Sequence, residues 1–178
     1  MKIREEFGDI DIYLFDQLLK GRLDASMRIL DAGCGGGRNL VYFLRHRYQT
    51  FAVDSDERAI RSVQALASHL AADSSAENFQ VAEVAALPFA KEEFDVVISS
   101  AVLHFARDEP HFYKMVDEMW RVLKPGGMFF ARLASSIGLE SRIRQIQERW
   151  FSLPDGSHRD SPTGRSNRTR PVLRCFVA

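Results

Sequence analysis

The chain has 178 residues, enough for one domain with a core of its own. Its 24 Lys and Arg balance 24 Asp and Glu, so no net field draws it to nucleic acid or an anionic membrane surface. No apolar run is long enough to span a bilayer, the N-terminus lacks a basic-then-apolar leader, and Cys34 and Cys175 offer neither a disulfide framework nor a metal spacing. A cytoplasmic protein without a metal centre is the expectation.

In chain order, Asp9 is a candidate cap for a helix carrying Ile10, Tyr13, Leu14 and Leu18 on one face, closed by Gly21. Residues 1–26 are read as an N-terminal helix covering whatever binds next. Ile29 and Leu30 begin a short apolar strand that reaches a carboxylate at Asp31. A loop with Gly33, Gly35, Gly36 and Gly37 follows, then a helix over Arg38–Arg47. Thr50–Val53 is a second strand ending at Asp54. Ser55 or Asp56 caps the next helix, with Ala59, Ile60, Val63, Ala67 and Leu70 at helical spacing. Phe79–Ala82 is a third strand, ending at Glu83.

Phe94–Ser99 is the strongest strand, a continuous apolar run suited to burial on both faces. Asp108 caps a helix with Phe112, Met115, Val116, Met119 and Leu123 as its stripe, and Pro110 lies in its first turn. Lys124-Pro125-Gly126-Gly127 is a turn and Met128–Leu133 a fifth strand. Residues 138–151 have helical apolar spacing. From Ser152 to Arg170 the chain is rich in Pro, Gly, Ser and Arg and poor in apolar residues, so 152–178 is read as a poorly ordered tail, with one final strand at Pro171–Ala178. Its arginines lack interleaved aromatics, so no nucleic-acid partner is expected.

Five alternations of strand and helix predict an α/β fold, a doubly wound parallel sheet. Ligands in such sheets bind outside the carboxyl ends of the strands. Asp31, Asp54 and Glu83 stand there in succession, with Ser99 and His104 after the fourth strand. A glycine loop opening a helix presents free N–H groups. Asp54 falls about 20 residues past that loop, where a ribose-binding carboxylate is expected.

The third glycine is at Gly37, whereas the dinucleotide G-x-G-x-x-G spacing needs it at the position held by Arg38. With Asp31 two positions ahead, the loop resembles the first motif of class I S-adenosylmethionine-dependent methyltransferases. The likeness to the small enzymes called methyltransferase domain type 11 spans Met27–Leu133. It is carried by Ile29–Asn39, Phe51–Asp56, Ala82–Phe89, Phe94–Val97, Leu103-His104 and Arg121–Gly127. Gly37-Arg38-Asn39 also resembles the loop of tellurite-resistance-type methyltransferases.

The resemblance implies a Rossmann-like methyltransferase domain over 27–151, with S-adenosyl-L-methionine as cofactor and a small molecule as methyl acceptor. Asp31, Gly33, Gly35 and Gly37 would hold its methionine half and Arg38 its carboxylate. Asp54 would bind the ribose, Glu83 and Val84 the adenine edge. Ser99 would lie beside the methionine moiety, and His104 near the site of transfer as candidate base. Ala82, Glu83, Ala85 and Ala86 depart from the family's usual Gly, Asp and acids. The family fold continues past the fifth strand with a helix and two strands, so the C-terminal strands are expected to be incomplete. The alternatives are a non-catalytic or truncated S-adenosylmethionine-binding protein and a nicotinamide-dependent oxidoreductase.

Overall fold

The computed structural model describes residues 3–71 and 74–133, and the backbone of 144–147, 150–152 and 170–171. Two short helices, α1 (Ile3–Phe7) and α2 (Ile12–Leu19), precede strand β1 (Arg28–Ala32). Then come α3 (Val41–Arg45), β2 (Gln49–Asp54), α4 (Glu57–Leu70), β3 (Phe79–Val81), β4 (Phe94–Ser100), α5 (Glu109–Val122) and β5 (Leu123–Arg132). The five strands form one parallel sheet in the order β3-β2-β1-β4-β5.

Both faces of the sheet are covered, which explains the unbroken apolar runs. Leu30, Val53 and Val97 pack with Met115 and Met119 of α5. Ile29, Val96 and Ile98 point the other way, toward Leu14 of α2 and Phe43 of α3. Ala52 meets Ile60, Val63 and Ala67 of α4. Among the described residues no helix is long and apolar enough to cross a membrane.

Several boundaries differ from the sequence reading. Asp11, not Asp9, caps α2, its Oδ1 accepting from the Tyr13 N–H at 3.0 Å. Asp9 instead accepts from the Arg4 guanidinium at 3.0 and 3.1 Å. The third helix starts only at Val41, because the chain from Gly37 to Leu40 makes tighter turns: the Leu40 N–H donates to the Gly37 carbonyl at 2.9 Å. The Lys124–Gly127 turn sits inside β5. Phe94 pairs with Leu123 and Val96 with Met128, so these four residues bulge out opposite Asp95, which accepts from Lys124 Nζ at 2.8 and 2.9 Å.

The helix expected over 138–151 is not what the described part of that stretch adopts. Arg144–Gln147 (β6) and Trp150–Ser152 (β7) pair antiparallel, and β7 pairs with Arg170–Pro171 (β8) in a second small sheet. Backbone pairing overrides an apolar period that a lone segment would place on a helix. The rest of the 152–178 tail, including residues 172–178 of the strand expected over Pro171–Ala178, lies outside the described residues.

The loop after β3 is clamped to α5. Arg121 donates to the carbonyls of Phe89 and Leu87 at 2.8 and 3.0 Å and pairs with Glu118, which accepts from the Leu87 N–H at 2.8 Å. Charge-assisted bonds of this kind position the backbone of Glu83–Ala85 just upstream.

Candidate active site

The strand order reverses at β1, and a crevice forms where chains leave the carboxyl ends of β1 and β4 in opposite directions. A cavity of about 700 Å³ opens there. One wall is the glycine loop with Arg38, a second carries Asp54, Asp56, Glu83, Val84 and Ala85, and a third is the β4–α5 segment from Ser100 to Met115.

The glycines divide their work. Gly33 has φ +84°, and a Cβ on it would lie 2.6 and 2.7 Å from the Val102 methyl groups. Gly35 lines the cavity and has nothing among the described residues within 4 Å of a notional Cβ. Gly37 does not line the cavity. Its notional Cβ would meet Val63 and Leu66 of α4 at 3.0 and 3.3 Å, so its role in the apo fold is close helix packing.

Asp31 is 1 % exposed, at the end of β1. Neither carboxylate oxygen has a close hydrogen-bond partner among the described residues, although the Asn39 amide and Arg38 charge lie near enough to favour ionisation. Burial dominates and pushes its pKa up to about 7, with Asp54 adding repulsion. Ser99 is wholly buried and its Oγ also lacks a partner among the described residues. Asp54 is oriented by the loop it faces: Oδ2 accepts from the Gly35 N–H at 2.8 Å and Oδ1 from the Asp56 N–H at 2.9 Å. Each oxygen keeps a further lone pair for a ligand hydroxyl. Glu83 is exposed at the rim and Val84 is buried beside it. Burial pushes the Cys34 thiol well up, so the loop cysteine is no nucleophile.

Arg38 reaches across the loop. It donates to Ser100 Oγ at 2.8 Å, and its Nη2 lies 3.5 Å from Asp11 Oδ2. Asp11 is 3 % exposed and also accepts from Ser100 Oγ at 3.0 Å, with Arg132 Nε at 3.3 Å. Its own N–H donates to Asn39 Oδ1 at 3.0 Å. One buried carboxylate thus ties the N-terminal segment to the glycine loop and to the ends of β4 and β5. Asp11→Asn is expected to lower stability by about 1–3 kcal/mol, since an amide cannot answer two guanidinium groups. An unshifted urea midpoint would count against that role.

His104 lies in the turn Leu103–Phe105, 8 % exposed, with its ring tilted on Phe105 at 4.5 Å, and does not line the cavity. His111, in the first turn of α5, does line it. A usable signal existed: His111 is four residues before Met115, on the same stripe of α5.

Residues 30–131 match the family described as methyltransferase domain. The chain belongs to that family. An uncharacterized methyltransferase of Bacillus subtilis is 33% identical over 117 residues, 66% of this chain and 44% of that protein. A malonyl-[acyl-carrier protein] O-methyltransferase of Salmonella typhimurium is 25% identical over 144 residues, 81% of this chain and 51% of that one. The chain spans about half the length of the curated relatives it matches. Among solved structures, a S-adenosylmethionine-dependent methyltransferase of Methanosarcina mazei superposes with TM-score 0.68 at 22% identity, over 88% of this chain and 77% of that one. The PH0226 protein of Pyrococcus horikoshii gives 0.69 at 21%, over 96% and 81%. At these identities the structures establish the fold, a Rossmann-like methyltransferase sheet.

The residues present fit S-adenosylmethionine. Asp31 and Ser99, buried at the ends of β1 and β4 and not themselves lining the cavity, hold polar atoms without a hydrogen-bond partner among the described residues, Gly35 leaves room for close approach, and Asp54 keeps acceptor capacity toward the cavity.

Proposed function

We propose that the chain is an S-adenosyl-L-methionine-dependent methyltransferase acting on a small molecule in the cytoplasm. The observation that carries this reading is Asp31. A buried carboxylate whose oxygens are left without a close hydrogen-bond donor among the described residues, with only the nearby Asn39 amide and Arg38 charge to favour its ionised form, is costly, and a cationic ammonium removes that cost. Of the cofactor's parts, the α-amino group is the one that suits it.

The cofactor supplies a methyl group on a sulfonium, with a neutral thioether as leaving group. The chain's task is then to align, hold and exclude water. Asp31 takes the ammonium and Arg38 the α-carboxylate. Asp54 accepts from the ribose hydroxyls, with Glu83 and Val84 against the adenine edge. Val102 and Ser99 close the floor. The names of curated relatives, O-methyltransferases among them, support an oxygen acceptor. An acceptor oxygen already ionised needs no base. His104 sits behind the cavity wall, so in this reading it supports Phe105 and leaves the proton balance to the acceptor.

Calorimetry with S-adenosylmethionine and with NAD tests the cofactor assignment, and methyl transfer to a panel of oxygen acceptors tests catalysis. Asp54→Ala is expected to weaken S-adenosylmethionine by about 1.5–3 kcal/mol, the worth of hydrogen bonds to a charged group. NAD binding in preference, or equal S-adenosylmethionine affinity in the variant, would reject the assignment.

A further inference from the structure

The wall formed by the β4–α5 segment carries chemistry that the cofactor does not use. The acids of the cavity, Asp54, Asp56 and Glu83, lie on the β2 and β3 side, and Arg38 belongs to the glycine loop. Opposite them stand Phe105, Arg107, His111 and Met115. Arg107 is exposed, and its guanidinium has no acid partner among the described residues. Its backbone N–H donates to His111 Nδ1 at 3.1 Å. A ring nitrogen that accepts carries no proton, so the neutral ring holds its hydrogen on Nε2. That Nε2 is buried and has no acceptor among the described residues. His111 is thereby set up as a donor rather than as a base. A recessed N–H without an acceptor is unfavourable, and an oxygen seated at this wall removes that cost.

The same wall is otherwise apolar. Phe105 is 54 % exposed, Met115 and Val102 are buried beside it, and Ala101 is held at φ +63° where the chain turns into it. A non-glycine residue in that conformation is kept there by its surroundings, here by an N–H bond from Ala101 to the Arg132 carbonyl at 2.8 Å.

We propose that this wall is the acceptor subsite and that the acceptor is a flat apolar molecule bearing a carboxylate. Arg107 meets the charge, His111 Nε2–H donates to one oxygen, and Phe105 and Met115 pack the body. This rests on the methyl-transfer reading, and its test separates the two.

The probes are 2-naphthoate and its neutral isostere 2-naphthamide, titrated by NMR into the protein loaded with S-adenosylhomocysteine. The carboxylate is expected to bind at least tenfold tighter than the amide. Arg107→Gln should cut that ratio below twofold and His111→Phe should reduce it, with S-adenosylhomocysteine affinity unchanged in both. Equal binding of the two probes, or binding of neither, overturns the proposal. A matching fall in S-adenosylhomocysteine affinity in the variants assigns the wall to the cofactor and overturns it as well. Failure of the parent protein to bind S-adenosylhomocysteine sinks the methyl-transfer reading itself.

Discussion

Asp31→Asn is expected to weaken S-adenosylmethionine about 30- to 100-fold and, in the same molecule, to stabilise the ligand-free protein at pH 8. The two effects share one cause. Burial lifts the Asp31 carboxyl from 3.8 to about 7, against the pull of Arg38 and Asn39 and with a push from Asp54. Folding therefore favours the protonated form. The stabilisation linked to that preference is complete below pH 3.8 and is lost as pH climbs through 7. The full displacement bounds the cost of an ionised Asp31 at roughly 4 kcal/mol. Asparagine has no charge to bury, so its advantage grows between pH 4.5 and 8, and about 1–3 kcal/mol at pH 8 is expected after its own amide finds imperfect partners. A bound ammonium reverses the balance by favouring the carboxylate. Binding to the parent protein near pH 6.5 should then release part of a proton, seen as a buffer-dependent heat that the variant lacks. Urea midpoints at pH 4.5 and 8, with calorimetry in two buffers, decide the matter. A variant that loses stability at pH 8, or that binds the cofactor as well as the parent, refutes this account of Asp31.

The sheet was legible because its signals are local. The run Phe94–Ser99 and the Asp108 cap with its Met115 and Met119 stripe lie within a few residues of what the structure shows. The acids after β1, β2 and β3 follow from the same strands. What stayed hidden depends on distant partners. Asp9 and Asp11 both precede an amphipathic stretch, and only the approach of Asn39 and Ser100 to Asp11 selects the second. Spacing puts His111 on the buried stripe of α5, but only the packing around the cavity separates it from His104. One is turned onto Phe105 and the other onto the cavity by the way α5 leaves the sheet. The apolar spacing across 138–151 fits a helix, but at 144–147 and 150–152 the backbone pairs across strands that the period cannot reveal.

The glycine motif was legible as a unit, and its parts are separable by experiment. Gly33→Ala is expected to cost about 2–5 kcal/mol of stability. An alanine Cβ would stand 2.6 and 2.7 Å from the Val102 methyl groups, and the loop cannot retreat because the Gly33 and Cys34 N–H groups both donate to the Val53 carbonyl, at 2.8 and 3.0 Å. Left-handed backbone at φ +84° adds about 1 kcal/mol or more for any side chain. Val102→Ala in the same chain should return much of the steric part and leave the backbone part, a non-additive pair by construction. Gly35→Ala should behave in the opposite way. Nothing among the described residues lies within 4 Å of its Cβ, so stability should fall only by the backbone cost of about 1–2 kcal/mol at φ +52°. The methyl group instead occupies the space through which a ligand approaches the loop backbone, and S-adenosylmethionine affinity should fall by tenfold or more. If Gly35→Ala unfolds the protein while binding survives in what remains folded, the open space beside Gly35 does not belong to the cofactor, and the glycine loop is structural throughout.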